Sequence, residues 1–232
     1  MTEEALKKYY LFCNERLLQN IPEGLERVLE FGCSGGMLGH RYKQENTKTV
    51  WHGVDVFEPA LAHAKTMLDQ AWKMNANQLR PNQTMKQAPY DALIYGDVIE
   101  HLTQPEESLP THLALLKKGG YIIACIPNVQ HWSIMQQVLG GEWEYKDEGI
   151  MDKTHLRFFT RKSFITLLEG LDLEVSGMQR ISYENTRGWM KRAQERSTLL
   201  KSLETLCEEN KLPYSDYDFR TFQYVFAAKK IR

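Results

Sequence analysis

The chain has 232 residues, of which 42% are hydrophobic and 25% charged, the usage of a folded globular domain rather than a disordered one. Lys plus Arg total 29 and Asp plus Glu total 30, so no global field concentrates nucleic acid or anionic lipid. No 18-residue apolar run occurs, which excludes a transmembrane helix, and the charged start MTEEALKKYY lacks the apolar stretch of a secretory signal.

Four cysteines, Cys13, Cys33, Cys125 and Cys207, contain no C-x-x-C pair. A zinc ribbon or thioredoxin-type motif is thereby excluded, and free thiols in a reducing cytoplasm are expected.

The predicted elements alternate. Residues 1–24 hold an amphipathic helix from Leu6 to Asn20, ended by Pro22 and Gly24. Arg27 to Gly32 reads as a buried strand, followed by Gly35, Gly36 and Gly39 at the start of a helix ending near Lys43. Val50 to Val56 is a second strand, and a helix runs from Pro59 to about Trp72. Asn75 to Ala88 is polar and is expected to hold one weak strand and a long loop. Tyr90 to Tyr95 is a strand and Pro105 to Leu116 a helix, with Lys117-Lys-Gly-Gly120 as its C-terminal stop. Tyr121 to Ile126 is a further buried strand. Residues 128–160 form an insertion rich in Trp, His, Gly and acids. Thr160 caps a helix from Arg161 to Glu169, Leu171 to Arg180 is a strand, Thr186 to about Asn210 a charged helix, and Arg220 to Lys229 the last strand. Strands alternating with helices predict a doubly wound α/β sheet in a single domain spanning 1–232.

The first strand runs into Glu30-Phe-Gly32-Cys-Ser34-Gly35-Gly36. A glycine turn between strand and helix lets a ligand approach the backbone, and the helix start adds amide donors. No G-x-G pair is present here because position 34 is serine, which speaks against a dinucleotide. Glu30 instead suits a cationic group such as an α-ammonium. Asp55, at the end of the second strand, lies about 20 residues beyond the turn, where an acid takes ribose hydroxyls. A nucleoside carrying an amino-acid tail, S-adenosylmethionine, satisfies both.

With Val28 to Gly36, Gly53-Val-Asp-Val56 and Tyr90 to Leu102 in order, the chain resembles the class I S-adenosylmethionine-dependent methyltransferases over roughly residues 5–180. The resemblance implies a Rossmann-like, mostly parallel seven-stranded sheet with helices on both faces and an antiparallel last strand. It places Glu30, Gly32, Cys33, Ser34 and Gly36 at the methionine end, with Gly96 and Asp97 beside them. Asp55 falls on the ribose, and Val56 and Phe57 flank the adenine. Ser34 departs from the family's central glycine. Asn75 is the nearest counterpart of the acid often found near the adenine amino group, and an amide oxygen can accept that N–H.

Asp97, Glu100 and His101 follow a buried strand, and His155 lies in Met151-Asp-Lys-Thr-His-Leu-Arg-Phe-Phe-Thr160. Three readings stand side by side. The residues order the following loop; or His101 or His155 takes a hydroxyl proton, with Glu100 beside them; or Asp97, Glu100, His101 and His155 hold a divalent metal. This pattern is similar to the E-x-x-E-H and later histidine of small-RNA 2′-O-methyltransferases, and ubiquinone-pathway O-methyltransferases show a related one. A fuller resemblance, carried by Ile126 to Trp132, Gly140 to Tyr145 and Gly149 to Arg161, is to bacterial methyltransferase domains associated with glycan building. It implies a saccharide or other small-molecule hydroxyl as acceptor, with polysaccharide biosynthesis as the setting. A small-RNA ribose is the alternative enzyme reading, opposed by the near-zero net charge. A non-catalytic subunit that binds the nucleoside is the rival from another class.

Trp132, Trp143, Tyr145, Phe158 and Phe159 form either a lid over the site or a small core for residues 128–160. His131 and His155 are better placed for function than His40, His52, His63 and His112, which are expected at surface or helix positions. Arg157 is either an ion-pair partner or an acid-binding group.

Overall fold

The computed structural model describes residues 10–78, 86–182, 193–213 and 217–232. The first expected helix falls partly before them. Within the described residues the chain leaves helical geometry after Tyr10. It restarts as α1 (Glu15–Leu18), where Asn14 Oδ1 accepts the Leu17 N–H at 3.0 Å. A continuous helix to Asn20 is therefore corrected: Asn14 caps a new start in the middle of the amphipathic stretch.

Among the described residues seven strands make one sheet in the order β3-β2-β1-β4-β5-β7-β6. They are β1 (Arg27–Phe31), β2 (Val50–Asp55), β3 (Gln70–Lys73), β4 (Tyr90–Gly96), β5 (Leu116–Pro127), β6 (Leu173–Ile181) and β7 (Gln223–Lys230). The pairs among β1 to β5 are parallel, and β7 runs antiparallel to both β5 and β6. The doubly wound sheet and its antiparallel last strand thus match the expectation. The strand order reverses between β1 and β4, and in open α/β sheets ligands bind outside the carboxyl ends of strands at that point.

The central strands are buried on both faces, and side chains of successive residues divide between them. Val28, Ala92, Ile94, Ile123 and Cys125 pack with α1, α2 (Met37–Glu45) and α3 (Glu58–Met67). Leu29, Phe31, Leu93, Tyr95, Ile122 and Ala124 pack with α4 (Pro105–Leu113) and α6 (Arg161–Glu169). The α6 cap is as read from the sequence: Thr160 Oγ1 accepts the Ser163 N–H at 3.1 Å and the Ser163 hydroxyl accepts the Thr160 N–H at 2.9 Å.

Two boundaries differ from the sequence expectation. The third strand is Gln70–Lys73, so α3 stops at Met67 and no strand lies among the described residues of 75–88. With only Ala71 and Trp72 as apolar members and pairing to β2 alone, this edge strand carries no period that separates it from the preceding helix. The stretch Lys117-Lys-Gly-Gly120 lies inside β5 rather than ending a helix. The Leu113 carbonyl near the end of α4 is instead capped by Lys230 Nζ at 2.8 Å, while Lys117 pairs with Asp91. Gly119 has φ +75°, and a Cβ on Gly120 would come within 2.9 Å of the Asp91 carbonyl oxygen, so both glycines serve a local irregularity between β4 and β5.

Residues 128–160 contain α5 (Trp132–Leu139), whose Trp132 packs on Leu200, Leu203 and Phe219 beside α7 (Ala193–Glu209). Phe158 joins a small cluster with Ile134, Ile150 and Met151, and Phe159 enters the main core. Trp143 and Tyr145 are half exposed. Among the described residues no helix is long and apolar enough to cross a membrane.

Candidate active site

The loop after β1 alternates into left-handed backbone, with φ +68° at Gly32, +50° at Ser34 and +80° at Gly36. Its amides are held by the protein itself, Gly32 and Cys33 on the Val54 carbonyl and Gly36 on that of Cys33, and Ser34 adopts the left-handed backbone despite its Cβ. The Ser34 N–H donates to Asp55 Oδ2 at 2.8 Å, and Asp55 Oδ1 accepts the Phe57 N–H at 2.9 Å. The acid at the end of β2 therefore pins the glycine loop and its own turn, with lone pairs left for a ligand hydroxyl. The N-terminal segment crosses the same place. The Tyr10 carbonyl accepts the Gly35 N–H at 3.0 Å and the Ser34 hydroxyl at 3.3 Å, and the Tyr10 ring stacks on Phe57 with centroids 4.6 Å apart. Cys33 fills the space that Gly53 leaves: a Cβ there would meet its Sγ at 2.5 Å.

Glu30 is buried, and its Oε2 accepts the Trp51 indole N–H at 2.9 Å. Burial pushes its carboxyl up to about 8; the Trp51 hydrogen bond opposes the rise and the nearby Asp55 charge adds to it. A buried acid with no cationic partner among the described residues is suited to meet an ammonium group brought by a ligand.

Beyond β4 the backbone turns left-handed again at Asp97, φ +55°. Asp97 Oδ1 accepts the Gln223 side-chain N–H at 2.7 Å, and burial pushes this half-buried carboxyl up to about 6 against a hydrogen bond from Cys125. A single 3-10 turn, Ile99–His101, then carries Glu100 inward. Glu100 is 1% exposed, and among the described residues neither carboxylate oxygen has a hydrogen-bond partner. Burial, with the charges of Asp97 and Asp152 behind it, holds its acid well above the usual carboxylate range.

Two histidines complete the cluster. His101 Nδ1 lies 3.0 Å from the Thr154 carbonyl oxygen and His155 Nδ1 2.9 Å from that of Ile150. A carbonyl only accepts, so each Nδ1 carries a proton and Nε2 is the ring nitrogen left to meet a ligand. His155 Nε2 is 4.0 Å from Glu100 Oε1, and the two imidazole centroids are 4.9 Å apart. Burial lowers the His155 pKa, which keeps that ring neutral. One ligand atom from each of Glu100, His101 and His155 lies within 4.8 Å of the others. Asp97 does not join this group; its left-handed backbone and the Gln223 hydrogen bond hold it apart.

The family model described as a methyltransferase domain matches residues 4–176 of this chain. The chain belongs to that methyltransferase family. A curated relative, a ubiquinone biosynthesis O-methyltransferase of Shewanella sp. (strain ANA-3), is 23% identical over 169 residues, covering 72% of this chain and 71% of the relative. A crystal structure of a SAM-dependent methyltransferase from Archaeoglobus fulgidus superposes with TM-score 0.58 at 19% identity, covering 99% of this chain and all of that one. The plantazolicin methyltransferase BpumL in complex with SAH gives TM-score 0.57 at 14% identity, covering 98% of this chain and 82% of that one. This chain is an S-adenosylmethionine-dependent methyltransferase.

In this methyltransferase the residues expected at the cofactor end, Glu30, Gly32, Cys33, Ser34, Gly36 and Asp55, gather at the ends of β1 and β2. Val56 is 59% exposed beside them, Gly96 ends β4, and Asp97 follows it. Asn75 lies just past β3, exposed, with its Oδ1 capping the Asn77 N–H at 2.9 Å. His131 is buried at the start of α5, where its ring accepts from the Ser133 N–H, and it does not join the Glu100 cluster. His52 and His112 are buried rather than superficial: His52 Nδ1 meets Tyr90 Oη at 2.9 Å and His112 Nδ1 meets Tyr95 Oη at 3.0 Å. His63 reaches the glycine loop, with Nδ1 2.7 Å from the Gly35 carbonyl oxygen. Among the described residues Arg157 makes no ion pair, and its guanidinium donates to the Thr103 carbonyl. Tyr10, Trp51 and Gln223 touch the site without any motif to announce them.

Proposed function

We propose that the enzyme methylates a hydroxyl oxygen of a small-molecule acceptor held against Glu100, His101 and His155. The observation that carries this reading is the pair of imidazoles whose Nδ1 protons are fixed on carbonyls, leaving two Nε2 atoms beside a buried acid at the carboxyl end of β4. The name of the Shewanella relative, an O-methyltransferase, supports oxygen as the accepting atom.

Bound S-adenosylmethionine supplies a methyl group on a positively charged sulfur. The glycine loop would hold the methionine end and Asp55 the ribose, and Glu30 would compensate the ammonium charge. His101 or His155 accepts the hydroxyl proton at Nε2 as the acceptor oxygen forms its bond to the methyl carbon and the carbon–sulfur bond breaks. The remaining contribution is alignment of the two reactants. A saccharide hydroxyl is the first acceptor class to try, on the strength of the sequence resemblance over residues 126–161.

A second reading is favoured by the unpartnered Glu100 oxygens. Two imidazoles and one carboxylate fit a divalent first-row cation such as manganese, iron or zinc, which when bound lowers the pKa of a coordinated hydroxyl. The Thr154 and Ile150 carbonyls would then orient the two ligating rings.

The test is formation of S-adenosylhomocysteine from S-adenosylmethionine with saccharide and phenolic acceptors, with chelator or with added Mn2+. Acceptor-dependent turnover lost in His155→Ala supports hydroxyl methylation. Turnover only with nitrogen or carbon acceptors contradicts it, and turnover undiminished by chelator contradicts the metal.

A further inference from the structure

Two segments far apart in sequence are fastened to one residue. The Thr103 N–H and hydroxyl both donate to Asn77 Oδ1, at 2.8 and 2.9 Å. The Thr103 carbonyl accepts Arg157 Nε at 2.9 Å and a second guanidinium nitrogen as well. The two peptide groups that flank the Thr103 Cα are thus held from the adenosine side by Asn77 and from the histidine side by Arg157.

Each anchor is itself fixed. Asn77 lies in the 3-10 turn Ala76–Gln78, which opens on the cap made by Asn75. Buried His112 donates from Nε2 to the Ala76 carbonyl at 2.9 Å. On the other side, the Leu156 and Arg157 N–H groups both donate to the Glu100 carbonyl, at 2.9 and 3.0 Å. The same loop supplies Thr154, whose carbonyl orients His101, and His155 itself. Guanidinium groups ordinarily seek carboxylate or phosphate forks. Here two donors converge on a single carbonyl, an arrangement that fixes the position of a peptide. Thr103 is exposed, so these bonds contribute little to global stability, and their consequence is register.

We propose that Arg157 is a positioning residue which, through Thr103 and Asn77, couples the adenosine side of the cofactor site to the loop carrying His155. This rests on the cofactor placement given above. Ordering of the Asn75–Gln78 turn by a bound nucleoside fixes Thr103, Thr103 fixes Arg157, and the loop then presents His155 and the Thr154 carbonyl in their reactive positions. Linkage is reciprocal, so an acceptor that orders the loop also tightens the cofactor.

The experiment is amide hydrogen exchange on the full chain with and without S-adenosylhomocysteine, after calorimetric titration of the same samples. In the wild type the ligand slows exchange in residues 97–104 and also in 150–157, by about fivefold in the latter, the low end of site-to-site coupling. In Arg157→Ala, the ligand binds within about threefold of wild type and still protects 97–104, but protection of 150–157 is lost, a response that purely local stabilisation would not produce. Arg157→Lys, which keeps one donor, restores part of it. Asn77→Ala, cut at the other end, loses the same protection. Undiminished protection of 150–157 in Arg157→Ala, or none in the wild type, overturns the relay. Failure of the ligand to bind the wild type in the titration contradicts the cofactor placement itself, and is seen before any exchange is measured.

Discussion

Ser34 donates its backbone N–H to Asp55 Oδ2 at 2.8 Å, so the carboxylate closing β2 holds the turn that closes β1. The bond explains how a serine with φ +50° keeps the loop in shape where glycine would adopt it freely. Its hydroxyl also reaches the Tyr10 carbonyl at 3.3 Å. Ser34→Gly should therefore leave S-adenosylmethionine affinity within about threefold, because relief of left-handed strain of about 1 kcal/mol offsets the lost contact. Ser34→Val, β-branched in the same backbone, should weaken binding at least tenfold, an estimate of about 1.4 kcal/mol of strain or more. Calorimetric titration of the three proteins decides this, and equal affinity for the valine variant contradicts it.

The Glu30 acid sits at about 8 in the folded protein, against an ordinary 4.5. A raised folded pKa means that its contribution to stability is complete below pH 4.5 and is lost as pH rises through about 8. Denaturant midpoints of the ligand-free enzyme should fall over that window, and Glu30→Gln should flatten that part of the profile. At pH 7 an arriving ammonium should ionise Glu30 and release a proton. The calorimetric enthalpy of cofactor binding then depends on the ionisation enthalpy of the buffer, and a buffer-independent enthalpy identical in Glu30→Gln counts against the ammonium contact.

His112 responds in the opposite sense. Burial lowers it to about 4, against the hydrogen bond to the Ala76 carbonyl, which favours the charged form. A depressed histidine pKa destabilises the fold on acidification, beginning below the unfolded value of 6.5 and continuing to about 4. His112→Phe should remove that acid sensitivity, and should also free the Ala76–Gln78 turn from α4, at a cost of about 1–3 kcal/mol for the carbonyl left behind. Unfolding curves from pH 7 to pH 4 read both effects; an unchanged acid limb would show that another group dominates.

The Glu100, His101 and His155 set predicts a cation site with three protein ligands rather than four. Mn2+ or Co2+ should bind the full-length enzyme, and Glu100→Gln or His155→Ala should weaken it by more than about tenfold, the scale at which even supporting residues of metal sites act. Asp97→Asn should change the affinity by less than about threefold, as a change outside the ligand set that preserves an acceptor for Gln223. A loss with Asp97→Asn equal to that with Glu100→Gln would restore the four-ligand set, and absence of binding to the wild type would leave the histidines as proton acceptors alone.

The parts of this fold that follow from short-range chemistry were legible in the sequence. The glycine turn, the acid at the end of β2 and the Thr160 cap are each written in a run of a few residues. The site contacts that sequence did not show join distant residues: Gln223 with Asp97, Tyr10 with Phe57, Thr103 with Asn77 and Arg157. No local pattern encodes such contacts, because they depend on which strands become neighbours. The edge strand β3 was placed too late for a different reason. Four residues with two apolar members are specified by pairing to β2 rather than by their own period. His52, expected at a surface or helix position, lies buried in β2, while His112 is on a helix as expected but buried; neither shows its tyrosine partner in the sequence.

The most direct test of the account is calorimetric titration of S-adenosylmethionine into the wild type, Glu30→Gln and Asp55→Ala, with thermal unfolding of each to establish folding. The account predicts single-site binding to the wild type, weakened by about 10- to 100-fold in Asp55→Ala through loss of charge-assisted hydrogen bonds of about 1.5–3 kcal/mol, and a weaker response in Glu30→Gln that no longer releases a proton. No heat and no shift in the unfolding temperature of a folded wild type, or affinity unaltered in Asp55→Ala, would contradict the placement of the methyl donor on which the rest depends.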